Sequence, residues 1–274
     1  MCHIVVWKIS PTFAEWITTI NNNPLWTNSI LSPTSTIIEL GCGVSGIVAI
    51  ALAPLVNYYI ATDQEYVRKI FWSNVRENVR HHRNQNQRKN NNGGRGNRYS
   101  RGHTNNNNNN DNDEDINISF IPLDWETDIP VSLKDTIPTN NNNNRHGLGG
   151  DTNTEKDPGF DILISCDCIY NESLTKPLLN TCVEICQLRP KLNHTNINTN
   201  TTDDTRRPTI CLIAQRLRSP DVFETWLHEA LFIFGFRVWR IRDDLLPDSL
   251  KTEINSNGCD YSSGSVVHVL VLGV

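Results

Sequence analysis

An apolar strand that runs unbroken into a glycine turn and then an apolar helix constrains this chain more than any other stretch: Ile37-Ile38-Glu39-Leu40-Gly41-Cys42-Gly43-Val44-Ser45-Gly46. Glycines let the backbone turn with no Cβ in the way, so the start of the following helix comes close to a ligand. The Gly41-x-Gly43-x-x-Gly46 spacing by itself also fits a dinucleotide fold. Asp63 ends the apolar run Tyr58-Tyr59-Ile60-Ala61-Thr62, about twenty positions on, and suits a ribose hydroxyl for either ligand. Glu39, two residues before the first glycine, tips the choice. A carboxylate there repels a pyrophosphate, whereas S-adenosylmethionine has no phosphate and carries a sulfonium and an ammonium.

The 274 residues do not all read as globular. Asn105 to Asn110 and Asn140 to Asn144 are pure asparagine, and Asn193 to Asn200 mixes asparagine with threonine; such tracts bury too little apolar surface to offset their ordering entropy. They read as insertions at roughly 83–114, 140–158 and 193–208, and the remainder, about 200 residues, alternates strand and helix as one α/β domain. A net charge of −5 argues against bulk nucleic-acid binding. Arg76 to Arg101 is nevertheless basic and includes Gly93-Gly94-Arg95-Gly96-Asn97-Arg98-Tyr99, which suits weak RNA contact or a solvated insertion. Eight cysteines without a Cys-x-x-Cys pair, no signal peptide and no long apolar span indicate a reduced, cytoplasmic compartment and no membrane. Their spacings relative to the histidines do not suit zinc, so no metal is expected.

After the first turn, the sequence predicts a helix over 46–52, the strand ending at Asp63, and a helix carrying Val67, Ile70, Phe71, Val75 and Val79 near one face. Strands follow at 116–123, closed by Asp124-Trp125-Glu126, and at 160–165, running into Cys166-Asp167-Cys168-Ile169-Tyr170. Ser173 can cap the next helix, with Leu174, Leu178, Cys182 and Ile185 facing inward. A fifth strand at 209–215 precedes Ser219-Pro220-Asp221, an N-cap, a proline at the first helical position and an acid in the first turn. Its apolar face is Val222, Phe223, Trp226, Leu227, Ala230, Leu231 and Phe234. Two strands, 236–242 and 266–272, finish the chain with no helix between them, which makes them most simply antiparallel.

A terminal antiparallel pair on a parallel sheet is the arrangement of class I, seven-β-strand methyltransferases. Within that class, Glu39-Leu40-Gly41-Cys42-Gly43, Asp124-Trp125, Asp167-Cys168-Ile169-Tyr170, the early Val5-Val6-Trp7-Lys8 and Gln215-Arg216-Leu217-Arg218-Ser219-Pro220-Asp221 resemble the seven-β-strand protein-lysine methyltransferases, in particular fungal ones that act on ribosomal proteins. The resemblance covers nearly the whole chain outside the asparagine-rich segments. It implies a Rossmann-like sheet of seven strands, mostly parallel, with the last strand antiparallel between the fifth and sixth and helices on both faces. It implies S-adenosylmethionine held by Trp7, Gly41, Cys42, Gly43, Asp63, Trp125 and Cys166, with Asp167 and Tyr170, from that family's Asp-x-x-Tyr motif, gripping the acceptor amine.

The acceptor it implies is a lysine of a large-subunit ribosomal protein of the mobile stalk, monomethylated by a monomeric enzyme. In that family further residues, commonly with Thr-Gly, precede the Val-x-Trp segment. Here Met1-Cys2-His3 stands almost at that point, so cofactor binding is expected to be served better than substrate recognition. Two other readings stay open. A nicotinamide oxidoreductase shares the glycine loop, although this sequence has no Tyr-x-x-x-Lys dyad, and an RNA-associated scaffold with a degenerate methyltransferase domain would use the basic segment.

Overall fold

The computed structural model describes residues 8–91, 116–137, 159–189, 207–251 and 264–273, with backbone alone over 80–91. Trp7, most of the asparagine-rich segments and the side chains of Arg80 to Arg101 lie outside these residues. The sheet holds β1 (Thr36–Leu40), β2 (Tyr58–Asp63), β3 (Ile118–Pro122), β4 (Ile162–Cys166), β5 (Ile210–Arg216), β6 (Phe236–Arg240) and β7 (Ser265–Leu272). Their order is β3-β2-β1-β4-β5-β7-β6. β7 is antiparallel to both of its neighbours, pairing Ala214 with Val267 and Val238 with Leu270, and the other adjacent pairs are parallel. The expected placement of the last strand between the fifth and sixth is what the chain adopts.

Central strands buried on both faces are mostly apolar, and β1, β4 and β5 are so, with the polar Glu39, Ser165 and Gln215 buried among them. On one face Ile37, Tyr59, Ile164 and Leu212 pack with α1 (Ile9–Thr18), α3 (Ile47–Leu52) and α4 (Arg68–Asn91) through Phe13, Ile17, Leu52, Phe71 and Val75. On the other, Ile38, Leu40, Leu163 and Ile213 meet α5 (Glu172–Gln187) and α6 (Pro220–His228) through Leu178, Cys182 and Trp226. The result is a helix–sheet–helix sandwich, the Rossmann-like arrangement. No helix among the described residues is long and apolar enough to cross a membrane.

Several local expectations change. The sequence reading assigned no element to 9–27, yet α1 buries Ile9, Phe13, Ala14, Trp16 and Ile17, and α2 (Pro24–Thr27) follows. Pro11 sits in the first turn of α1, where a missing amide costs nothing. Asn171, not Ser173, caps α5: its Oδ1 accepts from the Ser173 amide and hydroxyl at 3.2 and 3.0 Å. Ser219 occupies the N-cap position of α6 without a side-chain capping bond. After His228 a π-type turn over Glu229–Ile233 rotates the apolar stripe outward, leaving Phe232 and Ile233 exposed. α4 runs to Asn91, past the expected start of the first insertion. Between β3 and β4 the described residues hold only a 3-10 turn, Pro130–Thr136.

Candidate active site

A cleft opens at the carboxyl ends of β1, β2, β3 and β4, lined by Gly41, Gly43, Asp63, Gln64, Leu123, Asp124, Trp125, Glu126, Cys166, Asp167, Cys168, Tyr170 and Leu174. In open α/β sheets ligands bind beyond the carboxyl ends of the strands, where the strand order reverses; here that point lies between β1 and β4. Of the expected site residues, Gly41, Gly43, Asp63, Trp125, Cys166, Asp167 and Tyr170 meet in this one cleft. Cys42 does not line it. Its side chain turns into the core, while its amide donates to Thr62 O at 3.0 Å.

The glycine turn is fixed by backbone requirements. Gly41 and Gly43 hold φ of +69° and +66°, where an L residue meets its own carbonyl. A Cβ at Gly41 would lie 2.6 Å from Cys168 Sγ and 3.2 Å from the Trp125 ring, whereas at Gly43 nothing stands within 4 Å. Gly41 is thus closed over by Trp125, and Gly43 faces open space that a ligand can approach. Asp63 locks the turn: Oδ2 accepts from the Gly43 amide at 2.8 Å and Oδ1 from the Gln64 amide at 2.7 Å. Burial pushes its carboxyl above the usual range and these two amides pull it back. Each oxygen keeps a lone pair for a hydroxyl. From α4, Asn74 donates to Val44 O at 2.8 Å and holds the far side of the loop.

Glu39 does not line the cleft. It is buried beneath the turn and accepts from the Tyr59 hydroxyl at 2.8 Å. Burial, opposed by that hydrogen bond and aided by Asp63, pushes its carboxyl up to about 7, so at neutral pH it is no full negative charge beside a ligand. The discrimination against pyrophosphate falls instead to the lining itself. Asp63, Asp124 and Glu126 line the cleft, and no lysine or arginine does among its described lining residues. Asp124 is half-buried and held below the ordinary carboxylate range by the Gln64 side chain and the Glu126 amide. Such a lining attracts cations and repels a diphosphate.

The thiols are inert. Burial pushes Cys166 well above the usual thiol range and Cys168 up to about 12. Cys166 donates to Ser10 Oγ of α1 at 3.6 Å and Cys168 to Leu40 O at 3.4 Å, so both act as small hydrophobes, not nucleophiles. The Trp125 indole Nε1 is buried with no hydrogen-bond partner, an orphan donor in a residue of the cleft wall.

Asp167 sits where the sequence reading expects, but its carboxylate is not presented to the cleft. The residue adopts φ +63° and its side chain has no exposed surface. Oδ1 accepts from Gln215 Nε2 at 3.1 Å and the Arg216 amide at 3.3 Å, and Oδ2 pairs with the Arg218 guanidinium. As folded, Asp167 cannot itself grip an acceptor amine. Tyr170 is exposed at the mouth. Sequence reasoning quoted Gln215 and Arg218 only as part of a resemblance; a buried glutamine in an otherwise apolar strand was the available signal.

Sheet order, glycine turn and the placement of the cleft are those of the class I, Rossmann-like methyltransferase fold. More particularly, the chain is similar to ribosomal lysine N-methyltransferase 5 of the yeast Vanderwaltozyma polyspora, 25% identical over 270 residues covering 89% of this chain and 71% of the relative. To that of Zygosaccharomyces rouxii it is 25% identical over 252 residues, covering 88% and 68%. To that of Lachancea thermotolerans it is 26% identical over 212 residues, covering 77% of this chain and 52% of the relative. The chain therefore spans between about half and about 71% of these relatives' lengths. Among solved structures, the methyltransferase domain of bacterial CtHen1 aligns with TM-score 0.49 and 11% identity over 96% of this chain and all of that one. No protein-family model matches the chain.

Proposed function

We propose that this chain is an S-adenosylmethionine-dependent protein-lysine N-methyltransferase that monomethylates a lysine of a large-subunit ribosomal protein, the stalk proteins being the favoured acceptors. The observation that carries the cofactor is a cleft whose lining includes Asp63, Asp124 and Glu126 and no described basic side chain, which suits a sulfonium and an ammonium. The names of the yeast relatives support lysine and the ribosome.

The residues present fit that cofactor. The open face of Gly43 admits it closely, Asp63 keeps lone pairs for ribose hydroxyls, and Trp125 offers its orphan Nε1 and its ring to a purine. When bound, S-adenosylmethionine supplies a methyl group for in-line displacement by the lysine nitrogen, so alignment supplies most of the acceleration. Asp124 and Glu126 draw a cationic acceptor to the mouth, and Tyr170 stands where it can orient the amine. The lysine must lose its proton before it attacks. Holding a pKa near 10.4 deprotonated at pH 7 costs roughly 4–5 kcal/mol, which desolvation and the sulfonium charge offset.

The test is transfer of labelled methyl from S-adenosylmethionine to purified ribosomal subunits, followed by mass spectrometry of the labelled protein. Label in a stalk-protein lysine supports the reading, and tighter binding of NAD than of S-adenosylmethionine overturns it. A role in RNA contact rests on the basic segment. Its one described cation–aromatic contact is Arg76 over the Trp72 ring at 5.7 Å, which favours helix packing over recognition.

A further inference from the structure

The turn from Asp167 to Tyr170 is held by one side chain from the neighbouring strand. Gln215, 1% exposed at the end of β5, pairs its amide with the backbone of Ile169 as another strand would. Its Oε1 accepts from the Ile169 amide and its Nε2 donates to the Ile169 carbonyl, both at 2.9 Å. The same Nε2 reaches Asp167 Oδ1 and Arg216 O. Asp167 N donates to Ala214 O at 2.7 Å, so the wall is tied to β5 at consecutive residues. A non-glycine residue at φ +63° persists only where its surroundings over-determine it, and this network does so. Ile169 is thereby pinned in the core, 5% exposed, and the next residue, Tyr170, is delivered to the cleft mouth.

We propose that Gln215 is a positioning residue for methyl transfer, fixing the acceptor-side wall so that Asp167 serves the reaction from behind that wall and Tyr170 from its front. The proposal rests on the methyltransferase reading. Gln215 is not among the residues that line the cleft, and none of its hydrogen bonds runs to the glycine turn or Asp63 on the other wall.

The experiment compares wild type, Gln215→Leu and Gln215→Glu by calorimetry with S-adenosylhomocysteine, thermal unfolding, and KM and kcat on ribosomal subunits. Gln215→Leu should keep affinity for S-adenosylhomocysteine within ~3-fold while kcat falls ~100-fold, the scale of a misplaced reacting group. Gln215→Glu supplies a donor to Asp167 only when protonated, and two adjacent carboxyls raise each other's pKa. Its rate relative to wild type should therefore climb as pH falls from 8 to 6. A kcat loss no larger than the loss of S-adenosylhomocysteine affinity, or a ratio flat with pH in Gln215→Glu, overturns the proposal. Should Gln215→Leu not fold, the pH ratio alone decides. Wild type that takes up no S-adenosylhomocysteine defeats the methyltransferase reading as well, whereas an active wild type matched by both variants defeats this proposal alone.

Discussion

The two walls of the cleft are built in opposite ways. On the β1–β2 side, the main chain does the shaping: two glycines at positive φ turn the backbone, and the Gly43 amide binds the Asp63 carboxylate twenty residues on. On the β4–β5 side, side chains do it, with Gln215 and Arg218 reaching back 48 and 51 residues to hold Asp167 in a conformation it would otherwise avoid. A wall made of backbone is written in residue types that few alternatives can replace. A wall made of side chains depends on partners that sequence spacing does not pair.

If that contrast holds, the largest effect should come from Gly41→Ala. Left-handed strain combined with a Cβ 2.6 Å from Cys168 Sγ should cost about 2–4 kcal/mol and abolish measurable binding of S-adenosylhomocysteine, read by denaturant unfolding and calorimetry. Next is Glu39→Gln. Its carboxyl, raised from 4.5 to about 7 in the fold, keeps a proton that the unfolded chain has released, so stability declines as pH rises through that window and stays lost above it. The variant still accepts from Tyr59 and should be more stable than wild type at pH 8 by on the order of 3 kcal/mol, with no gain at pH 4. An equal gain at both pH values would show that Glu39 titrates normally.

Asp63→Asn exchanges one of two amide acceptors for a donor and should weaken S-adenosylhomocysteine by roughly 1.5–3 kcal/mol, with faster hydrogen exchange at Gly43. Tyr170→Phe, on the opposite wall and exposed, should leave the melting temperature unchanged and lower kcat by about tenfold if its hydroxyl orients the amine; an unchanged kcat assigns that task to the rest of the turn. Smallest is Gly43→Ala. With nothing of the protein within 4 Å of its Cβ, folding stability should fall only by the cost of the positive φ, about 1 kcal/mol, and a stability loss as large as that at Gly41 would erase the distinction between a closed and an open glycine.

The same contrast explains what was legible. The strand order was readable because a helix-free pair of apolar runs at the end of the chain admits few arrangements, and the runs at 37–40 and 162–166 are mostly apolar and buried throughout, as central strands are. Gly41, Gly43, Asp63 and Trp125 fall on one cleft because each stands at or just beyond a strand's carboxyl end, a place that the apolar runs mark in the sequence. Asp167 was found too, but its direction was not, since that depends on Gln215 and Arg218, far along the chain. Glu39 was read as a charge facing the ligand because a strand's register gives its face but not its depth, and the Tyr59 hydroxyl that captures it lies on the adjacent strand. α1 went unread because its buried face, Ile9, Phe13 and Ile17, begins beside a proline that by itself argues against helix.

The position of β7 has a consequence for how the molecule comes into being. Among the described strands, β6 joins the sheet only through β7, which separates it from β5. As the chain emerges from the ribosome, β1, β2, β4 and β5 can dock in sequence, but Phe236–Arg240 has no partner until Ser265–Leu272 has been made. Until then the edge of β5, a row of open amides and carbonyls beside the Gln215 anchor, is exposed to any passing strand. Completion of the sheet is thus timed by its last-made strand, and the side of the protein that carries the acceptor wall is the last to be sealed.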